Sequence, residues 1–203
     1  MQKKSKSIIL LLFSIMSCGL AQGLTIISVP WYFTDHLDLS SRFTLLYGLI
    51  TFVGLFWGLY AGVIIDFVNR KKILLYINWM SAIVFGGIAA LHFSLDDSSP
   101  FLIFLGFTMC SFYYIIFFPN LYAIAQELTK KKQYVKINSF IEICFQTTSI
   151  ISALICGLLL SGSDMFFNYF NLEMFKFKKW SIEEIFILNS ILYLITSIFL
   201  FYI

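Results

Sequence analysis

Residues 43–65 read FTLLYGLITFVGLFWGLYAGVII, and the chain then turns abruptly polar through Asp66, Asn69, Arg70, Lys71 and Lys72. No charged side chain interrupts the run. At 1.5 Å per residue, about 20 apolar residues cross a hydrocarbon core about 30 Å thick. The run therefore predicts a membrane-spanning helix that ends at a basic loop. Outward from it the pattern recurs: residues 7–33, 73–91, 101–126, 143–163 and 185–203 also lack Asp, Glu, Lys, Arg and His. Strand-like alternation is absent, and the strands of a membrane barrel would be only about 10 residues long. Six helices are expected, over about 7–33, 43–65, 73–92, 101–126, 137–162 and 185–203. The expected fold class is all-α integral membrane.

Composition agrees. Hydrophobic residues make up 60% of the 203 and charged residues only 12%, against about 45–50% and about 25% in a soluble domain. Lys3, Lys4 and Lys6 before the first apolar run suggest a secretory signal. That run is longer than the roughly 7–15 residues of a signal core, and no small-residue cleavage site closes it. It is expected to stay as a first helix. Basic residues in short loops favour the cytoplasm. Ten lie at the N-terminus and in the second and fourth loops (Arg70, Lys71, Lys72; Lys130, Lys131, Lys132, Lys136), against Arg42, Lys176, Lys178 and Lys179 on the other side. Both termini are expected in the cytoplasm, in a cell membrane of the bacterial inner-membrane kind. The net charge of +3 thus follows orientation and gives no reason to expect a nucleic-acid partner.

The residues offer no catalytic or metal chemistry. Cys18, Cys110, Cys144 and Cys156 lie within expected spans without zinc spacing, and His36 and His92 stand apart from other ligand types. Nucleophile elbows, H-E-x-x-H pairs and phosphate-cradling glycine loops are missing, so neither an enzyme nor a cofactor or metal is expected. The fifth loop, about 163–184, mixes aromatic and basic residues. It is expected to lie flat at the membrane interface.

Gly54, Gly58 and Gly62 recur at four-residue steps and share one helix face. Such spacing lets a neighbouring backbone approach closely, so a helix-packing role is expected. Asp66 and Arg70 continue the step and can pair if the helix continues. In Gly62, Asp66, Arg70 and Lys71 the chain resembles the major facilitator superfamily, whose signature between helices two and three is G-x-x-x-D-R-x-G-R-[RK]. Phe67 replaces the first Arg of that pattern and Asn69 its second Gly. Pro30-Trp31-Tyr32, Phe118-Pro119 with Ala123, Glu127-Leu128, Asn138 and the run from Ile185 with Asn189 and Ser197 are similar to the efflux permeases that include macrolide and siderophore exporters. Two marks of proton-coupled members are missing. Helix four carries no Arg, and Ser152, Ala153 and Gly157 stand where antiporters often have a glycine-proline motif.

The resemblance implies a secondary transporter that exports a small, partly apolar molecule by alternating access. It implies a 3+3 inverted repeat in one six-helix half, residues 1–203 being the N-terminal half and a second half completing the protein. Gly62, Asp66, Arg70 and Lys71 would gate the cytoplasmic side, Asp66 facing the positive end of a helix from the other half. Partners are then the lipid bilayer, a small-molecule substrate and the second half. A non-transporting membrane accessory or scaffold subunit, or an inactive truncated half, is the alternative. Candidates for a substrate or proton site are Gln22, in line with Ser14, Cys18 and Thr25; Tyr113 and Tyr114; and Asn138, Glu142 and Gln146, in line with Ser149. Glu142 is the one acid within reach of the core. It is a coupling site or cation partner if it lies deep, and a surface partner of Lys136 if it does not.

Overall fold

Long charge-free runs leave the backbone no partner in lipid except itself, and so they become helices. In the computed structural model the described residues are 2–94, 99–162 and 178–203, and no strand occurs among them. The helices are α1 (Gln2–Trp31), α2 (Ser40–Phe67), α3 (Arg70–Ser94), α4 (Pro100–Leu128), α5 (Tyr134–Ser161) and α6 (Ile182–Phe201). All six are long and apolar enough to cross a membrane. Most run a few residues past the expected charge-free spans, because polar first and last turns still hydrogen-bond within a helix. The interfacial segment expected in the fifth loop falls mostly outside the described residues.

Local chemistry sets the ends. Pro30 lacks an N–H, and α1 continues beyond it as a π-helical turn, Tyr32–His36, with Thr34 Oγ1 donating to the Pro30 carbonyl at 2.9 Å. Pro100 stands at the first turn of α4, where its missing N–H costs nothing. Gly162, at φ 70°, stops α5 in a backbone conformation other residues rarely adopt. Ser181 and Glu184 form a reciprocal capping box that starts α6.

The helices pack in a pattern with hidden symmetry. The principal pairs are α3–α6, α1–α6, α1–α5, α2–α4, α3–α4, α1–α4 and α4–α5, with the π turn after α1 touching α2. Exchange α1 with α4, α2 with α5 and α3 with α6, and this set maps onto itself. Because α1 and α4 run in opposite directions, the relation is an inverted repeat of three plus three helices. α1 and α4 occupy the centre. α2 and α5 flank them, only 22% of each apolar window being buried against 50% for α1.

Small residues bring α1 and α5 together. A Cβ built on Gly19 or Gly23 would overlap Thr148 or Ser152 of α5. The glycine stripe of α2 is looser. Gly54 and Gly58 face Ile115 of α4, at 3.2 and 3.7 Å from a built Cβ, while nothing lies near Gly62. The core between α3 and α6 is aromatic. Phe85 meets Phe186 edge-on at 5.0 Å, and Tyr193 stacks on Phe85 at 5.6 Å.

Candidate functional site

Two polar constellations stand out, one in the loop between α2 and α3 and one along α5. In the first, α2 stops at Phe67 and Val68 is extended (φ −113°, ψ 149°). The helix therefore does not continue, and Asp66 and Arg70 do not pair as their spacing allowed. Asn69 Oδ1 accepts the Lys72 N–H at 3.2 Å, so the residue that departs from the signature caps the start of α3. Arg70 forms an ion pair with Glu127 at the end of α4, and Asn120 Nδ2 donates to the Arg70 carbonyl at 2.8 Å. Lys71 Nζ donates to the Phe201 carbonyl at 2.8 Å, tying the loop to the end of α6.

Four elements thus converge on a cleft of about 400 Å³ lined by Asp66, Asn69, Arg70, Lys71 and Glu127 among others. The Arg70 and Glu127 side chains are 35% and 60% exposed, which limits their pair to about 0.5 kcal/mol. Such a contact orients the loop and is easily remade. The Asp66 side chain is exposed and makes no hydrogen bond or ion pair with any described residue.

The second constellation lies on the open side of α5. Tyr122 of α4 donates to the Glu142 carboxylate. Lys136, the surface partner weighed for Glu142, instead lies over the Phe140 ring at 5.9 Å. Glu142, Gln146 and Ser149 are exposed along one face, and Asn138 is half-buried. The Asn138 Oδ1 and Gln22 Oε1 atoms are buried without a partner among the described residues. Phe118 and Phe145 meet edge-on at 4.8 Å beside the stripe, and Phe118 stacks on Tyr122 at 6.4 Å. Asn138, one acid and aromatic faces therefore share one region, while Gln22 of α1 lies farther along α5, beside the Gly23–Ser152 contact.

Tyr113 and Tyr114 lie deeper, Tyr114 behind the Phe118 and Phe145 rings. Both are buried, with Cys18 Sγ 3.1 and 3.2 Å from their hydroxyls. Tyr113 donates to Asn78 Oδ1 at 3.1 Å and Tyr114 to the Cys18 carbonyl at 2.8 Å. Ser14 and Thr25 are buried too, and Asn189 Nδ2 of α6 donates to Thr25 Oγ1 at 2.8 Å. This polar set joins α1, α3, α4 and α6 inside the bundle. It is cohesion between helices rather than an open wall.

Three participants escaped sequence reasoning. Glu127 stood out only as part of a resemblance, although a lone acid ending a charge-free run, on the same side as Arg70, was a usable signal. Asn78 gave no signal. His92 pairs with Glu183 across the opposite end of α3 and α6, a contact between residues far apart in the chain. Among the described residues no cluster could hold a metal ion.

A family model described as the Major Facilitator Superfamily matches residues 11–203. No curated protein and no solved structure matches.

Proposed function

The chain belongs to the Major Facilitator Superfamily, a membrane transporter and not an enzyme, and from that premise we propose that it exports a small, partly apolar molecule by alternating access. It works as one half of a two-half transporter, in a cell membrane with both termini inside. The observation that carries this reading is the exposed stripe Glu142–Gln146–Ser149 on α5. A charge at bilayer depth costs about 2.5–3.5 kcal/mol, so such a face turns toward water or a partner and away from lipid. A second half opposite α2 and α5 supplies that setting. The stripe then becomes one wall of the passage, with Tyr122 holding Glu142 in place.

The chemistry beside Glu142 suits the substrate class. Phe118, Tyr122 and Phe145 offer ring faces, Asn138 one turn away carries an unpaired acceptor, and the carboxylate favours a cationic group. In the α2–α3 loop, Gly62, Asp66, Arg70 and Lys71 serve as the gate. The free Asp66 carboxylate is placed to meet the positive end of a helix from the other half in only one of the alternating states. Such a contact biases the equilibrium between them. An accessory subunit would need no exposed acid in its membrane-spanning face.

The test uses membrane vesicles holding the chain together with a second six-helix half, loaded with a fluorescent lipophilic cation under an imposed pH gradient. The parent should move the dye. Glu142→Gln should bind the dye more weakly and lose the response to the gradient, and Asp66→Asn should lose movement altogether while inserting normally. Parent-like transport by both variants would leave the stripe and the loop with structural roles only.

A further inference from the structure

α3 and α6 are tied together where Ser190 Oγ donates to the Ala82 carbonyl at 2.7 Å. Toward the end that carries Lys71 and Phe201, the small residues give way to Tyr76, Trp79, Leu194 and Ile198, and a groove of about 640 Å³ opens between the helices. Its lining is apolar apart from Lys72, Ser197 and the hydroxyls of Tyr76 and Tyr202. Trp79, Tyr76, Ile198 and Phe201 are 53%, 67%, 56% and 66% exposed, so the groove has no cover from the chain's described residues. From Lys72 to Trp79 it extends about 10 Å along the membrane normal at the rise of a helix, the depth of the upper part of an acyl chain.

The lysine decides the occupant. Lys71 is already held by the Phe201 carbonyl. The Lys72 side chain is exposed and makes no hydrogen bond or ion pair with any described residue. An apolar helix laid into the groove would cover that ammonium group without a counter-charge, which is costly. A phospholipid fills the same space with hydrocarbon and brings a phosphate to the lysine. Tyr76 and Tyr202, flanking Lys72 in the lining, are the amphipathic rings that settle at headgroup level.

We infer that the groove between α3 and α6 is a binding site for an anionic phospholipid, its phosphate on Lys72 and one acyl chain along Tyr76 and Trp79. The site is independent of the transport reading, since it lies on helices that do not carry the α5 stripe.

Trp79 is a built-in reporter. The full chain is reconstituted in dioleoylphosphatidylcholine vesicles containing an equal minor fraction of dibrominated phosphatidylglycerol or dibrominated phosphatidylcholine. The Trp79 signal is taken as the difference between the chain and its Trp79→Phe variant. Brominated phosphatidylglycerol should quench Trp79 with about fivefold preference, the enrichment that one lysine near an anionic headgroup provides. Lys72→Gln, an exposed change that leaves the helices intact by circular dichroism, should bring the two lipids to equality. Equal quenching in the unaltered chain would overturn the site, as would a preference that survives Lys72→Gln. Displacement of the lipid by excess inorganic phosphate would show that the groove contributes nothing and overturn it too. Absence of quenching by either lipid, with the chain migrating as a dimer, would assign the groove to a second copy.

Discussion

Helices α1 and α5 lie side by side, and each carries polar residues at four-residue steps: Ser14, Cys18 and Gln22 on one, Asn138, Glu142 and Gln146 on the other. In sequence the two stripes look alike. In the bundle they differ. Ser14 and Cys18 are wholly buried and Gln22 half-buried, whereas Glu142 and Gln146 are exposed. The reason is position. α1 is central, packed against α4, α5 and α6, and its Ser14–Cys18 face is turned into the bundle, while Ile9, Phe13, Met16 and Ile26 make its exposed face. α5 is peripheral, and its inner face is already taken by Ile137, Ile141, Thr148 and Ser152. Its polar stripe is what remains outside. The same residue types therefore hold helices together in one place and offer a surface for water or a partner in the other.

The seam between the two helices is where the contrast breaks most severely. Gly23→Leu drives a branched side chain into Ser152, with no flexible neighbour to yield. Overpacking of a tight contact costs about 1–3 kcal/mol and sometimes more. The variant should lose its folded, monodisperse form in mild detergent, by thermal unfolding or size-exclusion chromatography. Gly62→Leu, which enters open space, should match the parent in both of these measurements of folding. Equal tolerance at both positions would mean that the α1–α5 seam is not close-packed.

Labelling sharpens the contrast between buried and exposed stripes. A membrane-impermeant maleimide needs water to react. In open membranes it should modify a cysteine at Gln146 far faster than the native Cys18, which is fully buried. No reaction at position 146 would place the α5 stripe against lipid and remove the support for a passage wall. In intact cells the reagent should reach a cysteine at Lys178 but not one at Lys131. The reverse pattern would invert the proposed orientation.

The smallest effect is expected inside α1. Thr25→Val keeps the shape and removes the acceptor used by Asn189. Hydrogen bonds between membrane helices contribute about 0.6 kcal/mol on average and about 1.7 at most. Unfolding in a denaturing detergent titration should show a loss of about 1 kcal/mol, with no change in maleimide access at position 146. A larger loss accompanied by opening of α5 would join the two stripes into one network.

Sequence alone determined that the chain is six apolar helices in a membrane. The cause is the single-chain requirement that every backbone group in lipid be satisfied within its own helix, which charge-free runs such as 43–65 record directly. Lys/Arg placement and the Gly62–Lys71 pattern were legible for the same reason, being local. What no local pattern could reveal was neighbourhood. Asp66 and Arg70 looked like a pair until the break at Val68 sent Arg70 to Glu127. The glycines that matter most for close approach proved to be Gly19 and Gly23, and Tyr113 and Tyr114 turned inward onto Cys18. The inverted repeat left no trace in the residues yet is plain in which helices touch. Periodicity tells which residues share a face; only packing six helices together decides whether that face meets protein, water or lipid.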